Sequence, residues 1–209
     1  MIFMQCHFSS DMIGNKTSIN VLLPRRRTLE KLPTLYLLHG YSDDHTVWMR
    51  HTSIERYAEM YQIAVIMPDV QRSFYCDIRN QQRGRYWQYV NNELIDLTRR
   101  MFPLSDKRED TYVAGLSMGG FGAFKLALNC PETFTAAASL SGALDVELML
   151  ERESMDRNEL GMYIESIPSV RGSVNDLFAA AKKANALASA VKPRLYHVAA
   201  RRIFCTRTI

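Results

Sequence analysis

The chain has 209 residues, of which 47% are apolar and 23% are charged. That length suits one or two domains with a sizeable core, and the charged fraction excludes both a disordered tail and a membrane protein. The formal net charge is +4, and three arginines (Arg201, Arg202 and Arg207) stand in an acid-free C-terminal end, so the excess belongs to that end rather than to a nucleic-acid surface.

Met1-Ile2-Phe3-Met4 lacks the length and the basic flank of a signal peptide, and no apolar run approaches the ~20 residues a membrane helix needs. A cytoplasmic location is the expectation. Residues 17–23 read as a strand ended by Pro24, and residues 34–38 as a short apolar strand buried on both faces. Arg25-Arg26-Arg27 between them reads as a solvated turn. Thr52-Ser53-Ile54-Glu55 has capping-box spacing for a helix to about Tyr61. Residues 62–67 form the next buried strand, stopped by Pro68. Helical spacing of Tyr86, Tyr89, Val90, Leu94 and Leu97 predicts a helix over 86–100, with Pro103 beyond it. A strand at 111–114, a helix at 118–129 and a strand at 135–140 follow. Residues 143–172 read as loop-rich; Ser173-Val174-Asn175-Asp176 then resembles a capping box for a helix to about Ala190, and 194–198 is a last strand. Alternation of this kind predicts one α/β domain with a mostly parallel sheet. Cys6, Cys76, Cys130 and Cys205 have no CxxC spacing, which predicts free thiols and neither a disulfide framework nor a zinc site.

Gly115-Leu116-Ser117-Met118-Gly119 is G-x-S-x-G between a predicted strand and a predicted helix, the context of a nucleophile elbow. The sharp turn strains the serine backbone, and its two arms approach closely enough to require small residues at Gly115 and Gly119. The Ser117 hydroxyl then projects above a helix N-terminus, whose free N–H groups suit a developing oxyanion. Leu37-Leu38-His39-Gly40-Tyr41-Ser42 ends a strand in His-Gly, the usual second half of such a hole, so the expected donors are the backbone N–H groups of Tyr41 and Met118. Asp43, Asp44 and His45 also stand here, but they have no partner cluster to make a metal site.

Together with Asn20-Val21-Leu22-Leu23-Pro24, Trp48, Phe102-Pro103, Lys107-Arg108-Glu109, Phe124-Lys125-Leu126-Ala127-Leu128 and Ser139-Leu140-Ser141-Gly142-Ala143, these motifs resemble the esterase D / S-formylglutathione hydrolase group, most closely the bacterial tributyrin-type acyl esterases. The resemblance spans about residues 1–198. It implies an α/β-hydrolase fold with helices on both faces of the sheet. The implied chemistry is hydrolysis of short acyl esters through an acyl-enzyme on Ser117, with no cofactor. The implied partner is a small-molecule ester, without nucleic acid or membrane, and a homo-oligomer is left open. Mycolyltransferases share the architecture, so acyl transfer is an alternative, as is a binding module that keeps only the pocket.

A serine nucleophile needs a base oriented by an acid, in the chain order Ser, Asp/Glu, His. After Ser117 the only histidine is His197, inside a predicted strand, and no acid follows Asp176. His197 reads as a packed strand residue, and Asp145 is the one candidate for a displaced acid. No role is assigned to His7, His45 or His51. Where the resembling proteins continue Cys-Gly-x-x-Asp-Phe-Leu-Tyr, this chain reads Ala199-Ala200-Arg201-Arg202-Ile203-Phe204-Cys205-Thr206-Arg207-Thr208-Ile209. Regrouping the codons by one base, with suitable synonymous bases, spells Cys-Gly-Thr-Glu-Asp-Phe-Leu-Tyr-Gln-Asp-Asn. The expectation is a single-base deletion near Val198, a frame-shifted tail over 199–209, and a fold lacking its last strand, last helix, triad Asp and triad His. Little turnover and poor solubility would follow from the lost triad members and a bare sheet edge.

Overall fold

Strands and helices alternate along the computed structural model, which describes residues 1–25, 30–151, 160–164 and 166–199. The strands are β1 (Ile2–Ser10), β2 (Asn15–Leu23), β3 (Thr34–Leu38), β4 (Ala64–Pro68), β5 (Thr111–Leu116), β6 (Ala136–Leu140) and β7 (Arg194–Val198). They form one sheet in the order β1-β2-β4-β3-β5-β6-β7. β1 and β2 pair antiparallel, as do β2 and β4, and the strands from β4 to the β7 rim run parallel. Side chains alternate across the pleat, so Tyr36, Leu38, Ala64 and Ile66 enter one core while Leu37, Val65 and Met67 enter the other. Helices α1 (Val47–His51) and α2 (Ile54–Tyr61) lie on the smaller core through Trp48, Met49, Ile54 and Ala58.

The larger core belongs to α5 (Met118–Asn129), which is buried at every position from Met118 to Leu128. A helix apolar all round must be covered all round. The sheet covers one side of α5, and α8 (Leu177–Asn185) packs against it as well. A further helical run comprises α3 (Tyr86–Gln88), a π-helical turn over Tyr89–Glu93 and α4 (Leu94–Met101). The apolar spacing does not announce the π turn. It brings the Glu93 carboxylate to the β1–β2 hairpin, where it accepts hydrogen bonds from Ser10 Oγ and from the Asp11 N–H, the latter at 2.7 Å.

Several sequence expectations need correction. β1 lies outside the expected strands, although Met4, Cys6 and Phe8 pack on the core while Gln5, His7 and Ser9 face solvent. Thr52 does not cap α2: the N-cap is Ser53, without a side-chain bond, while Thr52 Oγ1 accepts from the Ile54 N–H. β4 starts at Ala64 because Gln62 is left-handed and ends α2, and Pro68 lies within the strand. The cap of α8 is Asp176, which accepts from the Ala179 N–H, not Ser173, and that helix stops at Asn185. The loop-rich stretch holds the short helices α6 (Val146–Glu151) and α7 (Ile167–Val170). Arg25 is exposed, whereas Arg26, Arg27 and the expected frame-shifted residues 200–209, Cys205 included, lie outside the described residues. Cys6, Cys76 and Cys130 are free thiols.

β7 occupies one rim of the sheet, with Leu195, Tyr196 and Val198 exposed. Among the described residues no helix is long and apolar enough to cross a membrane. Going from β3, the chain adds β4 on one side and β5 on the other, so the carboxyl ends of β3 and β5 flank a topological switch point. Open α/β sheets place ligand crevices at such points.

Candidate active site

Ser117 connects β5 to α5 with φ 54° and ψ −115°. That backbone conformation costs a non-glycine residue roughly 1–3 kcal/mol, so the surroundings must impose it. The imposing feature is a close crossing. A Cβ on Gly115 would stand 2.8 Å from the Gly119 Cα, and one on Gly119 would stand 2.7 Å from the His39 carbonyl oxygen. The two glycines therefore let the arms of the turn touch each other and the end of β3. The Ser117 N–H donates to the Leu140 carbonyl at 2.9 Å, and the Ser117 carbonyl accepts the first helical bond from Phe121. Met118 opens α5, so its N–H has no acceptor within the helix. Its side chain is buried, and its sulfur accepts from the Phe74 N–H.

The loop after β3 lies against this elbow. Gly40 sits beside the Leu116 carbonyl, since a Cβ there would be 3.6 Å from it. His39 is 1% exposed and holds the loop by two ring contacts. Its Nε2 accepts from the Val70 N–H at 3.1 Å, so the proton resides on Nδ1, which donates to the Gly40 carbonyl at 2.7 Å. Asp43 N–H donates to the same carbonyl at 3.2 Å. The chain has no cis peptides among its described residues, so the Tyr41 N–H points opposite to that captured carbonyl. The imidazole thus sets the orientation of one of the two expected oxyanion donors.

Burial pushes the His39 pKa down, outweighing the neighbouring carboxylates of Asp69, Asp43 and Asp44. Asp69 Oδ1 stands 3.9 Å from Nε2, but that nitrogen is already an acceptor, so this is a neutral ring near a carboxylate rather than an ion pair. Asp69 also stands 3.6 Å from His45 Nδ1, and His45 Nε2 meets Gln5 at 2.9 Å. Asp44 accepts from the Thr46 N–H, and among the described residues no cluster of three or more metal-binding side chains occurs.

Sequence reasoning misses residues 69–77. Gln71, Phe74 and Tyr75 all have positive φ, at 52°, 51° and 53°. The fold over-determines this segment. The Tyr75 hydroxyl donates to the His39 carbonyl at 3.0 Å, and the Phe74 ring packs on Tyr41 at 5.4 Å. The Arg72 guanidinium stacks over the Tyr41 ring at 4.1 Å. No local motif announces such a loop. The signal that could find it is Asp69 and the aromatic pair standing directly after β4, at the same end of the sheet as His39.

The residues considered for the acid and the base lie elsewhere. His197 is on β7 as expected, but it is exposed rather than packed, with one ring contact to Phe124 at 6.1 Å. It pairs with Ser139, which pairs with Gly115, so two strand spacings put it roughly 10 Å to the side of the elbow. Asp145 caps α6 instead, accepting from the Leu148 N–H at 2.9 Å. Among the described residues no hydrogen bond engages Ser117 Oγ.

Residues 9–199 match the family model described as "Putative esterase". An acetyl esterase of Caldicellulosiruptor saccharolyticus is 34% identical over 212 residues, which cover 94% of this chain and 79% of that one. Two solved Staphylococcus aureus structures are each 35% identical, over 94% of this chain and 78% of theirs. The fluorophosphonate-binding serine hydrolase F superposes with a TM-score of 0.83 and an S-formylglutathione hydrolase with 0.80.

Proposed function

The chain belongs to the esterase family and has the α/β-hydrolase fold of a serine esterase, and from that premise we propose that Ser117 is its acyl-accepting nucleophile, with the Tyr41 and Met118 N–H groups as oxyanion donors. The observation that carries the assignment is the strained elbow of Ser117, wedged by two glycines against a loop whose carbonyl His39 has turned inward. In this reading, attack by Oγ on an ester carbonyl places the developing oxyanion between the carboxyl ends of β3 and β5, where the two N–H groups would receive it. Short acyl esters are the proposed substrates. The similarity to an acetyl esterase supports that acyl size.

In this reading residues 1–199 hold the nucleophile and the oxyanion donors but not the acid and base. His197 is two strands away and Asp145 is engaged as a helix cap. Without its base the serine loses several orders of magnitude, and the oxyanion hole alone leaves a residual rate. In the same reading the tail from 199 is out of frame. The test is to read the nucleotides downstream of Val198 and express the chain translated in the regrouped frame. Turnover of p-nitrophenyl acetate should rise by about 10³-fold or more over the parent chain, and Ser117→Ala should abolish the gain. A parent chain that already turns over at the rate of an intact esterase would overturn the impairment. A downstream sequence with no Asp-Phe-Leu-Tyr and no later histidine in any frame would overturn the frame shift. Full activity in Ser117→Ala would remove the nucleophile.

A further inference from the structure

Lys125 lies on the central helix α5 with no exposed surface, and among the described residues no carboxylate lies within ion-pair distance of it. Buried lysines without such a partner are rare. Its Nζ donates to the Tyr75 carbonyl at 2.8 Å and to Cys76 Sγ at 3.3 Å, and it stands 4.6 Å from the centre of the Trp87 ring. Cys76 is 2% exposed, and its thiol faces the Phe74 carbonyl and Asn175 Oδ1 at 3.1 and 3.3 Å. Burial pushes the lysine pKa down and the thiol pKa up, so both groups are driven toward their neutral forms. A neutral amine has a lone pair that an ammonium lacks. None of this chemistry is used by the proposed ester hydrolysis.

We propose that Cys76 and Lys125 are an oxidative cross-linking site, in which peroxide joins Sγ to Nζ through one bridging oxygen. The reaction balances with hydrogen peroxide as the oxidant. One peroxide, attacked by the thiolate fraction that the Lys125 hydrogen bond favours against burial, converts Cys76 to a sulfenic acid and releases water, a two-electron oxidation at sulfur. A second converts the amine to a hydroxylamine and water, a two-electron oxidation at nitrogen. Condensation of these two forms the S–O–N bridge and releases a third water. The S–H bond and one N–H bond are broken, and their hydrogens end in water. Pre-positioning at 3.3 Å favours condensation over further oxidation of the sulfenic acid. Asn175, which touches Sγ, also lines an open cleft of about 760 Å³ between α6 and α8.

The site is wired to the oxyanion loop. Lys125 holds the Tyr75 carbonyl and the Tyr75 hydroxyl holds the His39 carbonyl, so a cross-link changes the donor on a residue that directly supports the loop.

The test is peroxide treatment of the whole chain, quenched with catalase and followed by intact-mass and non-reduced tryptic peptide analysis. The expected product gains one oxygen and loses two hydrogens. It resists cleavage after Lys125, links the Cys76 peptide to the peptide containing Lys125, and reverts with dithiothreitol. Cys76→Thr keeps a small hydrogen-bonding side chain and should lose this product while Cys130 still oxidises. Because this readout is a mass, it stands or falls independently of the esterase assignment. Recovery of Cys76 as sulfinic or sulfonic acid with Lys125 freely cleaved would overturn the proposal. So would an unmodified Cys76 and Lys125 under peroxide that fully oxidises the less buried Cys130.

Discussion

Replacing Gly119 by alanine probes the crossing that holds the elbow. The added Cβ would lie 2.7 Å from the His39 carbonyl oxygen and closer still to that of Leu38. Carbon and carbonyl oxygen ordinarily meet at about 3.3–3.6 Å, so relief of the tighter contact, at the Leu38 carbonyl, requires α5 and the end of β3 to part by roughly 1 Å. Overpacking of this size costs roughly 1–3 kcal/mol when side chains can yield. Here the opposing atoms are backbone at the end of a central strand, and α5 is packed on all sides, so the upper end, about 3 kcal/mol, is expected. For a chain of this length that corresponds to a fall of about 6–12 °C in Tm. Urea and thermal unfolding of Gly119→Ala beside Gly161→Ala would measure it. A Cβ added at Gly161 meets nothing within 4 Å among the described residues, so that variant should change stability by under about 1 kcal/mol. Equal stabilities for the two variants would refute the crossing as the source of the elbow's strain.

Three other outcomes follow from the same geometry. The His39 pKa is lowered in the fold, so the unfolded chain binds a proton below about pH 6.5 that the native ring refuses. Native stability should therefore fall as pH drops from about 6.5 toward the lowered value, and His39→Asn should flatten that slope in urea titrations; an unchanged slope in the variant sinks the assignment. Tyr75→Phe removes the donor to the His39 carbonyl and should cost about 1 kcal/mol. A neutral result by chemical denaturation would show that water replaces the hydroxyl at no cost. Asp145→Ala should cost about 1 kcal/mol through loss of its cap on α6 and leave turnover of the regrouped-frame chain intact; collapse of turnover would instead make Asp145 the triad acid.

The parallel core is legible because Thr34–Leu38 and Ala64–Pro68 are short apolar runs bounded by turn residues, and burial on both faces produces that composition. Ser117 is legible because a strand, a helix and two crossing glycines must coincide in sequence to build an elbow. β1 escapes notice because Ile2 and Phe3 open it without alternation, and the alternation of Met4, Cys6 and Phe8 carries weak polarity contrast. The caps at Ser53 and Asp176 differ from the expected positions by a residue or more, since several hydroxyls and carboxylates compete for the same few N–H groups. The left-handed residues of the 69–77 loop carry no glycine to betray them. Only the tertiary contacts of Tyr75 and Phe74 explain their backbone.

The arrangement of β3 and β5 has a consequence for inheritance. The proposed nucleophile and the proposed oxyanion donors follow adjacent strands, and the serine's awkward backbone is enforced by glycine contacts and a clamped carbonyl. None of these contacts supplies a general base to the serine hydroxyl. Under the proposed frame shift, a lesion beyond β7 silences the chemistry while the poised serine persists, so a single downstream repair would return function without rebuilding the pocket.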